Sequence, residues 1–347
     1  MNSQFDLPAL PLLDGNTLFL DNSRYEYFTT CQRKAEYAVV RGRVSADTKQ
    51  ALTFGECIHL AQKFRYKFSG NQAVDATREL QQQILIDKFY SDKVVPLQDH
   101  RTPAFAADVI QKYNITYGQE PFELAVSPSG RTLVEEGFSF EIGRIGNIRV
   151  VWTGRIDLAI VNSQGLWVVD HKTSSVGGEG YFREFMNSSQ MLGYAWALQQ
   201  HYQQPCAGVI INAHFVRKPT KTGKGIEFAR YPIAFDQERI NEWVENTLYV
   251  VSDFLHSHER GYFAMHTKQC VGKFGACEFF DVCSLVPQAR LSTLYGSLYK
   301  EDSFSPLHED AINLDEIAAT PPPAGWKPTE RVSPDDLSAS YLKDLNV

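Results

Sequence analysis

Two carboxylates and a primary amine crowd one short stretch, residues 153–175, which reads TGRIDLAIVNSQGLWVVDHKTSS. They are Asp157, Asp170 and Lys172. Two apolar runs, residues 156–161 and 166–169, flank Asn162-Ser163-Gln164-Gly165, with Asn first and Gly last as a type I turn prefers. The pattern predicts a hairpin. A turn symmetric about Ser163 and Gln164 sets Asp157 directly opposite Asp170, with β-carbons roughly 5 Å apart. A glycine bulge at Gly165 would instead shift the pairing by one and make the two acids diagonal neighbours. Lys172 shares the face of Asp170, because side chains alternate along a strand. Like charges opposed on so apolar a hairpin are destabilising, so the arrangement calls for a divalent cation between them.

Such a set suits phosphodiester hydrolysis. In-line attack of water on phosphorus needs a cation to neutralise the phosphate and position the water. It also needs a cationic side chain to help activate the water or stabilise the developing charge. Asp157 and Asp170 are the expected metal ligands, with the His171 carbonyl between them and the His59 imidazole arriving from a neighbouring helix. Lys172 serves the attacking water. Hard oxygen donors suit magnesium, and one imidazole makes manganese equally suitable.

The elements that must position these groups are legible in the pattern. Asp21 and Ser23 can cap a helix beginning near Arg24 that carries Tyr25, Phe28, Cys31, Ala35 and Val39 at helical spacing. A second helix over residues 53–68 has a buried stripe of Phe54, Cys57, Ile58, Ala61, Phe64 and Phe68. His59 lies at the edge of that stripe, with Gly55 one turn before it. Residues 71–117 read as helical, interrupted by Pro96 and Pro103, and residues 121–161 as strands. A helix over residues 181–200 sets Gln190 and Tyr194 on one side. Residues 209–216 and 226–235 form a further hairpin. A helix over residues 236–259 then buries Ile240, Val244, Leu248, Val251 and Leu255.

The chain has 347 residues, 43% hydrophobic content and a formal net charge of −7, enough to bury a full core and too acidic for a generally basic coat on nucleic acid. No run of eighteen apolar residues occurs, and the first residues lack the basic start and apolar core of a secretory signal, so a soluble cytoplasmic protein is expected. Residues 1–20 read as an extended leader, 21–300 as the working domain, and 301–347 as an acidic, Pro-rich tail that is flexible or weakly docked.

His59, Gly154-Arg155-Ile156-Asp157, Asp170-His171-Lys172 with its trailing Thr173, and the pair Gln190/Tyr194 together resemble the PD-(D/E)XK nuclease superfamily, specifically its RecB-like branch. The resemblance spans roughly residues 21–290, with every motif in the family's order. It implies an α/β fold, a central mixed β-sheet flanked by helices in a restriction-endonuclease-like core, with a helical insertion and a cysteine-rich C-terminal segment. It also implies that the histidine and the two acids hold the metal, that Lys172 is catalytic, and that Gln190 and Tyr194 support the active site or the DNA strand.

Cys270, Cys277 and Cys283 lie close together in sequence and Cys31 far upstream. Four thiolates can hold a structural zinc or an iron–sulfur cluster, and spacing alone does not choose, although the lack of a C-x-x-C pair slightly disfavours zinc. Iron–sulfur members of the RecB-like branch, the AddB-type and CRISPR-associated nucleases, are similar in placing one cysteine before the nuclease motifs and three after. That resemblance implies a [4Fe-4S] cluster stapling the chain ends. CRISPR-associated members usually have the first two C-terminal cysteines closer together than Cys270 and Cys277. Cys57 and Cys206 sit in apolar stretches as buried free thiols. Arg33, Lys34, Arg41, Arg43, Lys63, Arg65 and Lys67 could line a strand's phosphates, with Lys218, Lys221 and Lys224 as the opposite wall. The expected activity is that of a metal-dependent DNA exonuclease or end-processing nuclease acting on single strands or free ends. The second reading is a non-catalytic iron–sulfur subunit of a recombination or repair complex. The sequence has no G-x-x-x-x-G-K-[ST], so unwinding would fall to a helicase partner.

Overall fold

The computed structural model describes residues 7–47, 49–128, 130–220, 225–272, 275–302, 304–305 and 312–326. In chain order the elements begin with β1 (Thr17–Leu20), α1 (Asn22–Thr30), α2 (Gln32–Ala35), β2 (Arg43–Ser45), α3 (Gln50–Lys67), α4 (Gln72–Tyr90) and α5 (Pro103–Thr116). The strands β3 (Glu123–Leu124), β4 (Val134–Ile145), β5 (Ile148–Asn162) and β6 (Gly165–Ser174) follow. Then come α6 (Glu179–Arg183), α7 (Ser189–Tyr202), β7 (Cys206–Val216), β8 (Ile226–Ala234) and α8 (Gln237–Glu259). The last elements are β9 (Val271–Gly272), β10 (Gly275–Ala276), α9 (Phe280–Ser284), α10 (Pro287–Leu294), β11 (Tyr299–Glu301) and α11 (Leu314–Ala319).

Strand β5 is the axis of a seven-stranded mixed sheet. One of its edges pairs antiparallel with β4 and, further along, with β3. Its other edge pairs parallel with β1 as far as Trp152 and antiparallel with β6 from Leu158 onward. Between these two partners, residues 153–157 meet no strand on that edge among the described residues. From β6 the sheet continues parallel to β7 and antiparallel to β8. The parallel step requires a crossover, which α6 and α7 supply.

Alternation along β6 fixes the layers. Leu166 and Val168 enter a core with Met191, Ala195 and Leu198 of α7 and Ile240, Val251 and Phe254 of α8. Trp167 and Val169 face the other way, onto Tyr66 of α3. Helix α8 buries Ile240, Val251 and Leu255 as its periodicity predicts, whereas Val244 and Leu248 are only half-buried against the same core, and Asp236 caps the helix by accepting from the Arg239 N–H. Each such apolar side chain contributes about 1.5–3 kcal/mol.

Four local expectations change. The end of the predicted leader is β1, with Leu18 and Leu20 fully buried, because four strand-forming residues find an open edge of β5. The first helix breaks at Cys31, whose extended backbone lets its sulfur face Ala264 O and accept from the His266 N–H. The predicted helix over residues 181–200 is two helices, α6 and α7. Within the acidic tail, α11 packs Leu314 and Ile317 against Phe64, Val74 and Leu85. No helix among the described residues is long and apolar enough to cross a membrane.

Candidate active site

Where β5 and β6 part, their acidic residues meet. The ladder runs from Asn162↔Gly165 to Leu158↔Val169, the register of a turn centred on Ser163 and Gln164, with no bulge at Gly165. Its next step would pair Asp157 with Asp170. Here the strands separate, β6 stays with β7, and the His171 N–H donates instead to Asp157 Oδ2 at 2.7 Å. On the opposite edge of β5, Glu135 falls between the pairs Val134↔Leu158 and Glu136↔Ile156, across from Asp157. Its φ of 52° lies in the left-handed region that is costly for a non-glycine residue and recurs at functional sites. Three acids on three adjacent strands therefore form a row.

Helix α3 brings His59 onto that row, with Nδ1 3.3 Å from Asp157 Oδ2 and 3.5 Å from Glu135 Oε1. The helix comes this close because residue 55 is glycine: a Cβ there would lie 3.1 Å from Thr173 Oγ1. His59, Glu135 and Asp157 form a group whose potential ligand atoms all lie within 4.8 Å of one another. Glu135 Oε1 is buried and accepts no hydrogen bond among the described residues. A cation would satisfy it.

The electrostatics follow from burial and opposition. Burial disfavours a charged His59, but Asp157 and Glu135 outweigh it and hold the imidazole well above the ordinary histidine pKa. Burial also disfavours an ionised Asp157, yet the His59 cation keeps that carboxyl below the usual carboxylate range. Asp170 is pushed up to about 6 by burial, with Lys172 opposing the rise and Asp157 adding to it. Burial and then the charge of Asp157 raise Glu135 as well. In the metal-free protein a proton on His59 balances the acids, and a metal bound among them must displace it. Calorimetric Mn2+ titrations near pH 7, in buffers of differing ionisation enthalpy, are expected to show release of about one proton or more. Affinity should climb with pH by up to about tenfold per unit. A buffer-independent heat would contradict this.

Lys172 Nζ lies 2.8 Å from Asp170 Oδ2 and donates to Asp170 Oδ1 and to Gln190 Oε1, each at 3.0 Å. Gln190 Nε2 in turn donates to Tyr194 OH at 3.1 Å. One turn of α7 sets these two side chains on the same face. Gly154 leaves room for the Phe138 ring beside Tyr194, since a Cβ there would sit 2.9 Å from Phe138 Cζ. Burial, with Asp170 and Asp157 adding, holds the Tyr194 phenol well above its ordinary pKa, so it acts as a neutral hydrogen-bonding partner.

The residues singled out from sequence, His59, Asp157, Asp170, Lys172, Gln190 and Tyr194, thus lie together where β5 and β6 part. Sequence reasoning missed Glu135. It is Glu135, and not Asp170, that completes the compact trio with His59 and Asp157, while Asp170 is occupied by Lys172. The His171 ring turns away from Lys172 and packs parallel to Tyr66, and burial lowers its pKa to about 3.

Most of the expected basic wall has partners within the chain. Arg65 is buried and donates to Asn114, the Tyr117 carbonyl and Glu120. Arg33 and Arg41 pair with Glu36, Lys34 with Glu278 and Lys67 with Asp315, and Arg43 lies over the Tyr295 ring. Lys63 lies near enough to Glu135 to favour its charged form. Lys218 is exposed on its loop, and Lys221 and Lys224 lie outside the described residues.

All six cysteines are free thiols. Burial pushes Cys57 up to about 12 and Cys206 up to about 11, as inert core thiols require. Cys31, Cys270, Cys277 and Cys283 line one cavity of about 230 Å³ together with Lys34, Lys49 and His266. Among the described residues these thiols are not a group with sulfurs mutually within 4.8 Å.

A family model of the PD-(D/E)XK nuclease superfamily matches residues 22–284. No curated protein matches the sequence. Among solved structures the chain is similar to a candidate exonuclease from Eubacterium rectale, at 13% identity over 72% of this chain and 84% of that one, with a TM-score of 0.43. It is also similar to SSO0001, at 15% identity over 59% and 87% with a TM-score of 0.27. A third is LHK-Exo in complex with dAMP, at 10% identity over 60% and 97% with a TM-score of 0.22.

Proposed function

The chain belongs to the PD-(D/E)XK nuclease superfamily, and from that membership we propose that it is a metal-dependent deoxyribonuclease of the RecB-like branch, trimming DNA at single strands or free ends. The observation that carries the proposal is the acidic row Glu135, Asp157 and Asp170, met by His59 on one side and Lys172 on the other. His59, Glu135, Asp157 and Asp170 would hold magnesium or manganese, with the His171 carbonyl as a further donor. Glu135 Oε1, buried without a donor, fits that role. When bound, the cation supplies positive charge that neutralises the scissile phosphate and acidifies a water.

The remaining work falls to side chains. The Lys172 ammonium carries three N–H donors. Asp170 and Gln190 fix its direction, so a remaining donor can meet a phosphate oxygen or the attacking water as negative charge builds. Tyr194 holds Gln190, and Gln190 holds Lys172. End-labelled single- and double-stranded DNA, incubated with Mn2+ or Mg2+ and again with chelator, tests the proposal. Metal-dependent loss of label supports it, and intact DNA with every metal and end structure would contradict it. An intact constellation also favours catalysis over the non-catalytic reading.

We further propose a [4Fe-4S] cluster on Cys31, Cys270, Cys277 and Cys283. What supports it is that the four thiols line one cavity. The group would tie the α1 end to the segment after α8. Anaerobically purified protein should be brown, with near-stoichiometric cluster iron. Cys283→Ser should bleach it and lower the melting temperature. Colourless, iron-free protein would overturn this.

A further inference from the structure

Behind the acidic row lies a buried polar chain that reaches the metal site only through the His171 ring. Asn212 on β7 is fully buried beside His171. One of its amide N–H groups donates to Tyr113 OH at 2.8 Å, and the other meets His171 Nδ1 at 2.7 Å. Both donors are used, so Nδ1 must accept and the proton of this neutral ring sits on Nε2. The amide is itself oriented. Arg230 Nε donates to Asn212 Oδ1 at 3.3 Å, and Arg230 Nη2 donates to Tyr113 OH at 2.8 Å. Arg230 is anchored in turn by Glu120, at 2.6 Å and 3.0 Å, and Tyr66 OH donates to the same carboxylate at 2.7 Å. The ring that Asn212 grips stacks on Tyr66 with centroids 5.8 Å apart and backs the edge of His59 at 5.9 Å. Its own backbone N–H holds Asp157.

We propose that Asn212, oriented by Arg230 and Glu120, is the positioning residue of the metal site. By locking the His171 ring it fixes both the amide that aims Asp157 and the surface against which His59 rests. The inference rests on the metal-site reading above. Its reach is set by contact: His171 touches Asp157 and His59 on one side and Asn212 on the other.

The test is Mn2+ binding measured by calorimetry without nucleic acid, on wild type, Asn212→Leu and Asn212→Asp. Leucine keeps most of the volume but removes both donors. Aspartate can still accept from Arg230 and can hold the ring through the opposite tautomer. Asn212→Leu is expected to weaken Mn2+ binding roughly 10–100-fold, as loss of an outer partner of a metal ligand does, with Asn212→Asp recovering most of it. A residue that merely supports the fold would lower the melting temperature of both variants and leave Mn2+ affinity alone. That result would overturn the proposal. Should Asn212→Leu fail to fold, Arg230→Lys decides in its place. It keeps the charge opposite Glu120 but loses the fork that orients Asn212, so weakened binding supports the proposal and unchanged binding overturns it. Wild type that binds no Mn2+ would overturn the metal site as well, whereas variants that bind as wild type does sink this inference alone.

Discussion

Lys172→Ala is expected to cut metal-dependent DNA cleavage by roughly 10²–10⁴-fold, the usual worth of a positioned proton-transfer or charge-stabilising group. The loss should fall mainly on kcat, because Lys172 stands outside the compact trio of His59, Glu135 and Asp157 and touches the metal site only through Asp170. Removing the amine leaves Asp170, only 1% exposed, without its cation. That would be expensive in the metal-free state, although a carboxyl already pushed up to about 6 can take a proton instead. The variant should therefore be compared with wild type at saturating Mn2+. Single-turnover cleavage of end-labelled DNA gives the rate, and calorimetry confirms that metal still binds. Cleavage that survives would remove Lys172 from the chemistry.

Glu135→Gln is expected to separate stability from function. In the metal-free protein Glu135 faces Asp157 across a row of like charges and one of its oxygens has no donor, so an uncharged isostere relieves repulsion. Stability in the presence of chelator should rise by roughly 0.5–2 kcal/mol, the usual size of a single stabilising substitution. The same change removes a ligand, and Mn2+ affinity should fall by at least about tenfold. The thermal stabilisation that added Mn2+ confers on wild type should then shrink, because that gain depends on the ratio of metal concentration to its dissociation constant. A variant destabilised in chelator and still fully stabilised by Mn2+ would assign Glu135 a structural role.

The history of Glu135 shows how far sequence reaches. The register of β5 with β6 was legible because Asn162 and Gly165 bracket a two-residue turn, and alternation then aligned Asp157, Asp170 and Lys172. The hairpin of β4 with β5 has an equally visible turn, pairing Ile145 with Ile148. Carried back without interruption, that register would set Glu136 opposite Asp157. A bulge between Glu141 and Gly143 shifts it by one and presents Glu135 instead. Gly143 lies at that bulge under Leu248, whose Cδ1 would be 2.7 Å from a Cβ. The contact comes from a helix a hundred residues away and leaves no local trace.

The same reason explains why several of the basic side chains pair within the chain. Arg65, Lys34 and Lys67 look unpaired when read along their helices. Their partners, Glu120, Glu278 and Asp315, are brought in only by the fold. The His59 stripe, the Gln190/Tyr194 pair and the α8 core stayed legible because each depends on periodicity within one element.

The acids gathered where β5 and β6 diverge, with Asp157 and Asp170 buried, are expected to hold a divalent cation. Anomalous diffraction at the manganese edge from crystals soaked in Mn2+ tests it most directly. A peak about 2.0–2.3 Å from carboxylate oxygens of Asp157 and its neighbours, with a His59 nitrogen completing the shell, is the predicted result. A map with no peak at those acids, His59 still resting on Asp157 as in the metal-free protein, would contradict it.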